Sequence, residues 1–327
     1  MAITDIQTDR DALTVTLVAD FPVPPSRLWD AYMDPRQLER FWGPPSWPAT
    51  FAQHDVRPGG CSNYHMTGPD GDQSGGYWEF VSINPPQSFE VLDGFANPDG
   101  TPNTEMPSME MILEFSERDG GGSRLTVTTR FADAQSFDQL LDMGMVEGSR
   151  EAMGQIDDVV ADDSQLETLR TTQLQLLGDT QARASRLFDM SIDDVWRAHH
   201  DPGLMLQWLL GPDGWVLSVA ETGQRPGDTF RYEWTSDTGA PGFGFTGELL
   251  ASHPPYREVT TENLIGAEGP GTTNAMNLVE VTGGTLLTLV ITYPDAELRD
   301  EILETGMVDG MEASYARLEE LFPQAGA

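Results

Sequence analysis

The spacing of apolar and polar positions divides the chain into elements before composition is considered. Leu13, Val15 and Leu17 share one face of a strand predicted over Leu13–Phe21, because side chains alternate across a strand. Pro25-Ser26 then predicts a short helix and Asp34-Pro35 a second, with Ser and Asp as N-caps and Pro near the first helical position. Strand-like segments follow, separated by the turn signals RPGG, PDGDQSGG, NPPQ, NPDG and RDGGGS. The last segment, Arg124–Phe131, is rich in Thr and Val, and one long helix is predicted from Ser136 to about Ala161.

The same order then returns. A strand is predicted over Gln181–Phe188, helices over Ile192–Leu210, strands from Trp215 to Tyr293, and a helix from about Asp295 to Phe322. In that last helix Met307, Met311, Tyr315, Leu318 and Phe322 recur at helical spacing and form one apolar stripe. Met145, Ser149, Met153 and Ile156 hold the matching positions in the first helix. Strand, two short helices, a meander of about six strands and a terminal helix is an α+β order, and the chain contains it twice.

Individual residues align as well as elements. Phe21, Trp29, Asp34, Pro35 and Phe41 match Phe188, Trp196, Asp201, Pro202 and Trp208; after one inserted residue Gly43, Pro44 and Trp47 match Gly211, Pro212 and Trp215. Arg57-Pro58-Gly59 matches Arg225-Pro226-Gly227, Tyr64 matches Tyr232, Pro85-Pro86 matches Pro254-Pro255, and GMVEG at 144–148 matches GMVDG at 306–310. So many matches in one order predict a tandem duplication. The expected domains are residues 1–163 and 172–327, divided in the polar stretch around Asp162–Thr172.

Charge narrows the range of partners. The net charge is −35, and it is not the work of one tail. Residues 1–163 hold 28 acidic and 9 basic side chains, and the remainder 25 and 9. A surface of that sign repels nucleic-acid phosphates and anionic lipids, so no nucleic-acid partner is expected. All 18 basic residues are Arg. No apolar run reaches the roughly 18–20 residues that span a bilayer, and the N-terminal stretch lacks a basic-then-apolar leader, so neither membrane insertion nor export is expected. The lone Cys61 cannot form an intrachain disulfide, which fits a cytoplasmic setting, and it reads as a small buried hydrophobe.

The candidate site is a pocket between sheet and terminal helix. By alternation Phe230, Tyr232 and Trp234 share a face, as do Ser62, Tyr64 and Met66. If those faces are concave, they meet Met307, Met311 and Tyr315 in the second copy and Met145 in the first. Trp42, Trp47, Trp208 and Trp215, beside Gly-Pro turns, are candidates for the rim, whereas Trp29 and Trp196 read as core anchors. The second copy offers more aromatic surface and is expected to be the better binder. Glu79 and Glu248 stand at equivalent strand positions; on the inner face either would be a candidate general base beside Tyr64 or Tyr232. His54, His65, His199, His200 and His253 fall in no metal-ligand spacing and read as surface or cap residues. No phosphate-binding loop or nucleophile elbow occurs, and neither metal nor cofactor is expected.

The motif string as a whole resembles a known family. A strand ending in Phe, then VWRAHHDPGLMLQW, GPDGW, RPG, a Pro-Pro turn and a helix opening GM..G is similar to the homologues of the heat-shock protein 90 ATPase activator. That family lies in the wider SRPBCC superfamily, with the steroidogenic lipid-transfer (START) domains, birch-pollen-allergen-like proteins and polyketide cyclases. The resemblance implies a helix-grip fold, an antiparallel sheet curved around a C-terminal helix, with a cavity that often takes apolar small molecules or lipids. The family helix usually carries Trp after the second Gly of its motif, where this chain has Ser149 and Met311. The expected function is non-catalytic binding of an apolar small molecule or lipid, as sensor, carrier or sequestering protein. The alternatives are a cyclase- or hydrolase-like enzyme and a modulator of a chaperone or other protein partner.

Overall fold

A computed structural model describes residues 3–162, 164–211 and 214–322. The chain divides into two compact units, Met1–Gln165 and Leu166–Ala327.

In the first unit, strands β1 (Ile3–Asp9) and β2 (Thr14–Phe21) precede helices α1 (Pro25–Met33) and α2 (Pro35–Leu38). Strands β3 (Ala49–His54), β4 (Cys61–Thr67), β5 (Gln73–Asn84), β6 (Ser88–Ala96), β7 (Met109–Glu117) and β8 (Ser123–Phe131) follow, then α3 (Ala134–Asp142), α4 (Met145–Met153) and α5 (Ile156–Val160). The eight strands form one antiparallel sheet in the order β1-β2-β8-β7-β6-β5-β4-β3. A short α6 (Ser164–Glu167) leads on.

The second unit repeats the plan. It holds β9 (Gln173–Leu177), β10 (Gln181–Phe188), α7 (Ile192–His200), α8 (Pro202–Trp208), β11 (Trp215–Glu221), β12 (Thr229–Ser236), β13 (Phe243–His253), β14 (Arg257–Leu264), β15 (Thr272–Val281), β16 (Gly284–Thr292), α9 (Ala296–Glu304) and α10 (Met307–Leu321). Its eight-stranded sheet runs β11-β12-β13-β14-β15-β16-β10-β9. Both units are α+β: an antiparallel sheet with one face covered by helices.

Each element follows from local chemistry. On β2, Val15, Leu17, Ala19 and Phe21 are buried while the residues between them are not, the alternation read from the sequence. Asp34 caps α2 by accepting from the Arg36 backbone N–H at 3.0 Å, and Asp201 caps α8 in the same way from Gly203 and Leu204. Helix α1 starts differently from expectation. Pro24 is its N-cap, with no side-chain bond, and Pro25 rather than Ser26 opens it. Trp29 anchors α1 to the sheet, packing edge-on against Phe89 and Phe115 at ring separations of 5.9 and 5.5 Å. Tyr32 adds contacts to Phe41, Phe89 and Phe115. Aromatic pairs of this kind contribute roughly 0.5–1.5 kcal/mol each beyond burial.

Three expectations change. Each sheet holds the expected first strand and the six of the meander plus one unforeseen edge strand: β1 is mostly polar, and on β9 the alternating Leu174 and Leu176 are exposed rather than buried. Residues 164–171, between the two expected domains, contain Leu169, which is fully buried against Leu187 and Leu286. The single terminal helices are broken. Gly144 (φ 85°) separates α3 from α4, and Gly306 (φ 84°) separates α9 from α10. Each glycine takes the left-handed conformation that L side chains resist, so the GM..G motif starts a new helix rather than continuing one. No described helix is long and apolar enough to cross a membrane.

Candidate functional site

Helix α4 presents a face of small residues to the sheet. Met145, Gly148, Ser149, Ala152 and Met153 recur at helical spacing, and the three at the centre have almost no side chain. The space they leave is a cavity of about 220 Å³. Its opposite wall is the sheet: Leu17 from β2, Val127 and Thr129 from β8, Met109, Met111 and Leu113 from β7, Asp93 from β6 and Met66 from β4. Tyr32, Phe41, Trp42, Gly43, Pro44 and Ile156 complete it. The Gln155 side chain donates to the Gly43 carbonyl at 2.8 Å, tying the 43–44 turn to the helix end beside the cavity.

One carboxylate stands in this wall. Strand β6 turns Phe89, Val91 and Asp93 to the same face, and the third is charged where the others are apolar. The Tyr64 hydroxyl donates to Asp93 Oδ1 over a long 3.4 Å. The Trp78 indole N–H approaches Asp93, and that of Trp42 approaches the Tyr64 oxygen, though both remain without hydrogen-bond geometry. Burial pushes Asp93 up to about 7, against those donors, and holds Tyr64 well above the usual tyrosine range, with the Asp93 charge adding to it. Gly76 lies opposite Tyr64 on β5, and a Cβ there would collide with the ring, so the tyrosine keeps its place because that residue is glycine.

The matching space in the second unit is filled. Equivalent positions replace Phe41 by Trp208, Ser149 by Met311 and Met153 by Tyr315. Trp208 and Tyr315 stack at 5.7 Å in a core that also takes in Phe188 and Met311, and His199 packs against both rings. What remains is a polar recess of about 80 Å³ lined by His200, Thr222, Gly223, Phe230, Tyr232, Leu249, Glu258, Thr260 and Glu262. There His200 Nε2 meets Glu258 at 2.7 Å, and its ring stacks on Trp196 at 4.0 Å. Glu262 is equivalent to Asp93, since the two stand at the same distance behind the Pro-Pro turns. Burial raises its pKa too, opposed by a hydrogen bond from Asn274.

The candidates separate accordingly. Trp42, Met66 and Met145 line the larger cavity, while Tyr64 stands behind Asp93. Trp47 is outside the lining, its ring lying over Gly68. Phe230 and Tyr232 line the small recess. Trp234 is buried, donating to the Leu209 carbonyl at 3.0 Å, and Trp215 packs on Phe243 at 5.1 Å. Met307 joins a separate cluster with Ala182, Ile291 and Tyr293. Thus Trp208, Met311 and Tyr315 are packing residues, and the larger cavity lies in the first unit, the reverse of the expected ranking.

Glu79 and Glu248 are exposed. On β5 the inward residues are Trp78 and Phe80, so Glu79 between them points out; Leu249 is likewise the buried neighbour of Glu248. Neither faces a cavity, and both lose their case as a general base. His253 is exposed as expected, but three other histidines are not. His54 is buried between Ser62 and the Tyr32 carbonyl, and His199 and His200 are half-buried. Cys61 is half-buried at the head of β4 rather than in the core. Among the described residues no group of three or more His, Cys, Asp or Glu is placed to hold a metal.

Comparison with known proteins then decides the ancestry. The family model described as Activator of Hsp90 ATPase homolog 1-like protein matches residues 22–161 and again residues 189–323. The chain belongs to this family. It carries the family's domain as two tandem copies, both with the helix-grip fold. No curated protein matches. Solved structures similar to it include protein Ms6760 from Mycobacterium smegmatis, 49% identical over 48% of this chain and 96% of that one, with a TM-score of 0.45. A protein from Arthrobacter aurescens is 39% identical over 49% of this chain and 93% of its own, with a TM-score of 0.47. The AHSA1 protein from Silicibacter pomeroyi is 20% identical over 45% and 97%, at 0.38.

Proposed function

We propose that this chain is a binding protein whose first domain holds an apolar small molecule. The observation that carries the reading is the cavity of about 220 Å³ between α4 and the sheet, walled by Met, Leu, Val, Phe and Trp. A dry apolar cavity of about 150 Å³ already admits benzene in another protein. The volume suits a monocyclic or short-chain compound better than a two-chain lipid. The five methionines of the wall adapt to varied shapes. In this reading the second domain, with its space filled by Trp208 and Tyr315, is not the receptor. The proposed setting is the cytoplasm, in keeping with a single cysteine, and the acidic surface keeps nucleic acid away.

A second reading has one observation behind it: a carboxylate with a pKa near neutrality lies in the cavity wall, 3.4 Å from a tyrosine hydroxyl. That pair, Asp93 and Tyr64, is suited to general acid–base work and replaces Glu79 and Glu248 as the enzyme candidates. Native mass spectrometry of freshly purified protein separates the readings. Binding predicts a small molecule that is retained in the folded state and recovered unchanged after unfolding. Recovery of a product from an added compound favours the enzyme. A bare protein whose melting temperature does not respond to toluene contradicts both.

A further inference from the structure

Building on the reading that the first-domain cavity holds an apolar molecule, we propose that this molecule carries a cationic amine and that Asp93 receives it. Among the described residues Asp93 is the one charged side chain in the cavity wall; Tyr32, Trp42, Thr129 and Ser149 bring only neutral polar groups. Among the described residues no Arg or His lines the space, so no cation of the wall neutralises the carboxylate. An unpaired carboxylate in an apolar wall is costly to keep. The groups around it are neutral and, unlike Asp93, lie outside the cavity lining: Tyr64 at a long 3.4 Å and the Trp78 indole without hydrogen-bond geometry. Neither brings a positive charge, so the carboxylate keeps capacity to accept from a ligand in the cavity.

The surroundings favour a cation in particular. Tyr32, Phe41 and Trp42 offer aromatic rings, whose faces attract ammonium groups. The charge of −35 draws organic cations toward the protein and repels carboxylate ligands such as fatty acids, which would also meet Asp93 directly. The second sheet places Glu262 at the register of Asp93, again beside a tyrosine, Tyr232, in its small recess. An inward acid at this position is therefore a feature of both copies rather than an isolated substitution.

Acidity follows from the same geometry. Tyr64 on β4 and Tyr77 on β5 are the titratable groups beside Asp93; burial raises both, so they stay neutral around pH 7. The α4 residues that face the cavity carry no charge. Binding of an amine is therefore strongest while Asp93 is ionised and falls as acidification protonates it.

Calorimetric titration of the full chain with three compounds of one shape, benzylamine, benzyl alcohol and toluene, tests the proposal. At pH 8 benzylamine should bind at least about tenfold more tightly than toluene, as a charge-assisted hydrogen bond allows. That advantage should vanish at pH 5.5, and also in Asp93→Asn at pH 8, with toluene affinity retained in both cases. The proposal is overturned if toluene binds as tightly as benzylamine at pH 8, or if benzylamine keeps its lead in Asp93→Asn. A lead for benzyl alcohol over benzylamine overturns it as well, by making the recognised group a neutral hydroxyl. In each of these cases bound toluene still supports the cavity reading. Absence of saturable binding by all three defeats the proposal and the cavity reading together.

Discussion

Substituting Ser149 by Trp should empty the proposed site of ligand while making the protein more stable. Ser149 lies on the α4 face that borders the cavity of about 220 Å³, with Gly148 and Ala152 beside it. At about 24 cal/mol per Å³, a cavity of this size corresponds to roughly 5 kcal/mol of missing packing, the most that filling could recover. A buried indole removes about 150–250 Å² from water but loses rotamer freedom and must fit a fixed shape. A net gain of about 2 kcal/mol is expected, which for a domain of this size raises the melting temperature by roughly 4–8 °C. Differential scanning fluorimetry with and without toluene reads both effects. The variant should melt higher than the parent and show no toluene-dependent shift. The opposite signs matter, because a damaged fold would lose ligand and stability together. A variant that still responds to toluene, with a folded circular-dichroism spectrum, would refute the assignment of the cavity as the site.

Other consequences can be tested independently. The Asp93 pKa is raised by burial, so its favourable contribution to stability is complete below about pH 4 and is lost as pH rises to about 7. Asp93→Asn should therefore be more stable than the parent at pH 8, by at most about 4 kcal/mol, with the difference shrinking toward pH 4 in urea unfolding. In the second domain burial lowers His199 to about 4, opposed by its bond to the Val195 carbonyl. Its neutral form supports folding above about pH 6.5, and this support is lost as pH falls toward 4; His199→Gln should flatten stability over that window. Gly144→Ala should cost about 1–2 kcal/mol although a Cβ there meets nothing, because the cost lies in the positive φ; an unchanged urea midpoint would contradict this.

The duplication and the α+β order were legible because they rest on residues with fixed local meanings. Trp29, the Asp34-Pro35 cap and the alternation of β2 occupy their expected roles. The helix breaks at Gly144 and Gly306 are not marked by the apolar stripes, which begin only after them, at Met145 and Met307. Glu79 and Glu248 match each other along the two copies, but their strands turn Trp78 and Leu249 inward instead. The acid that does face the cavity was marked by the run Phe89, Val91, Asp93, a charge at an apolar beat, and by its counterpart Glu262. Pocket size was the hardest quantity to read. Aromatic and thioether side chains such as Trp208, Met311 and Tyr315 either line a space or fill it, and only three-dimensional packing separates the outcomes.

The central claim, that an apolar molecule occupies the first domain, is tested most directly by nuclear magnetic resonance of methyl-labelled methionines during a toluene titration. Met66, Met109, Met111, Met145 and Met153 border the cavity, whereas Met190, Met205, Met276 and Met311 belong to the second domain's packed regions. Saturable shifts confined to the first group, and abolished by Ser149→Trp, are the predicted result. Shifts centred on the second group, or an unperturbed first group at saturating toluene, would contradict the account.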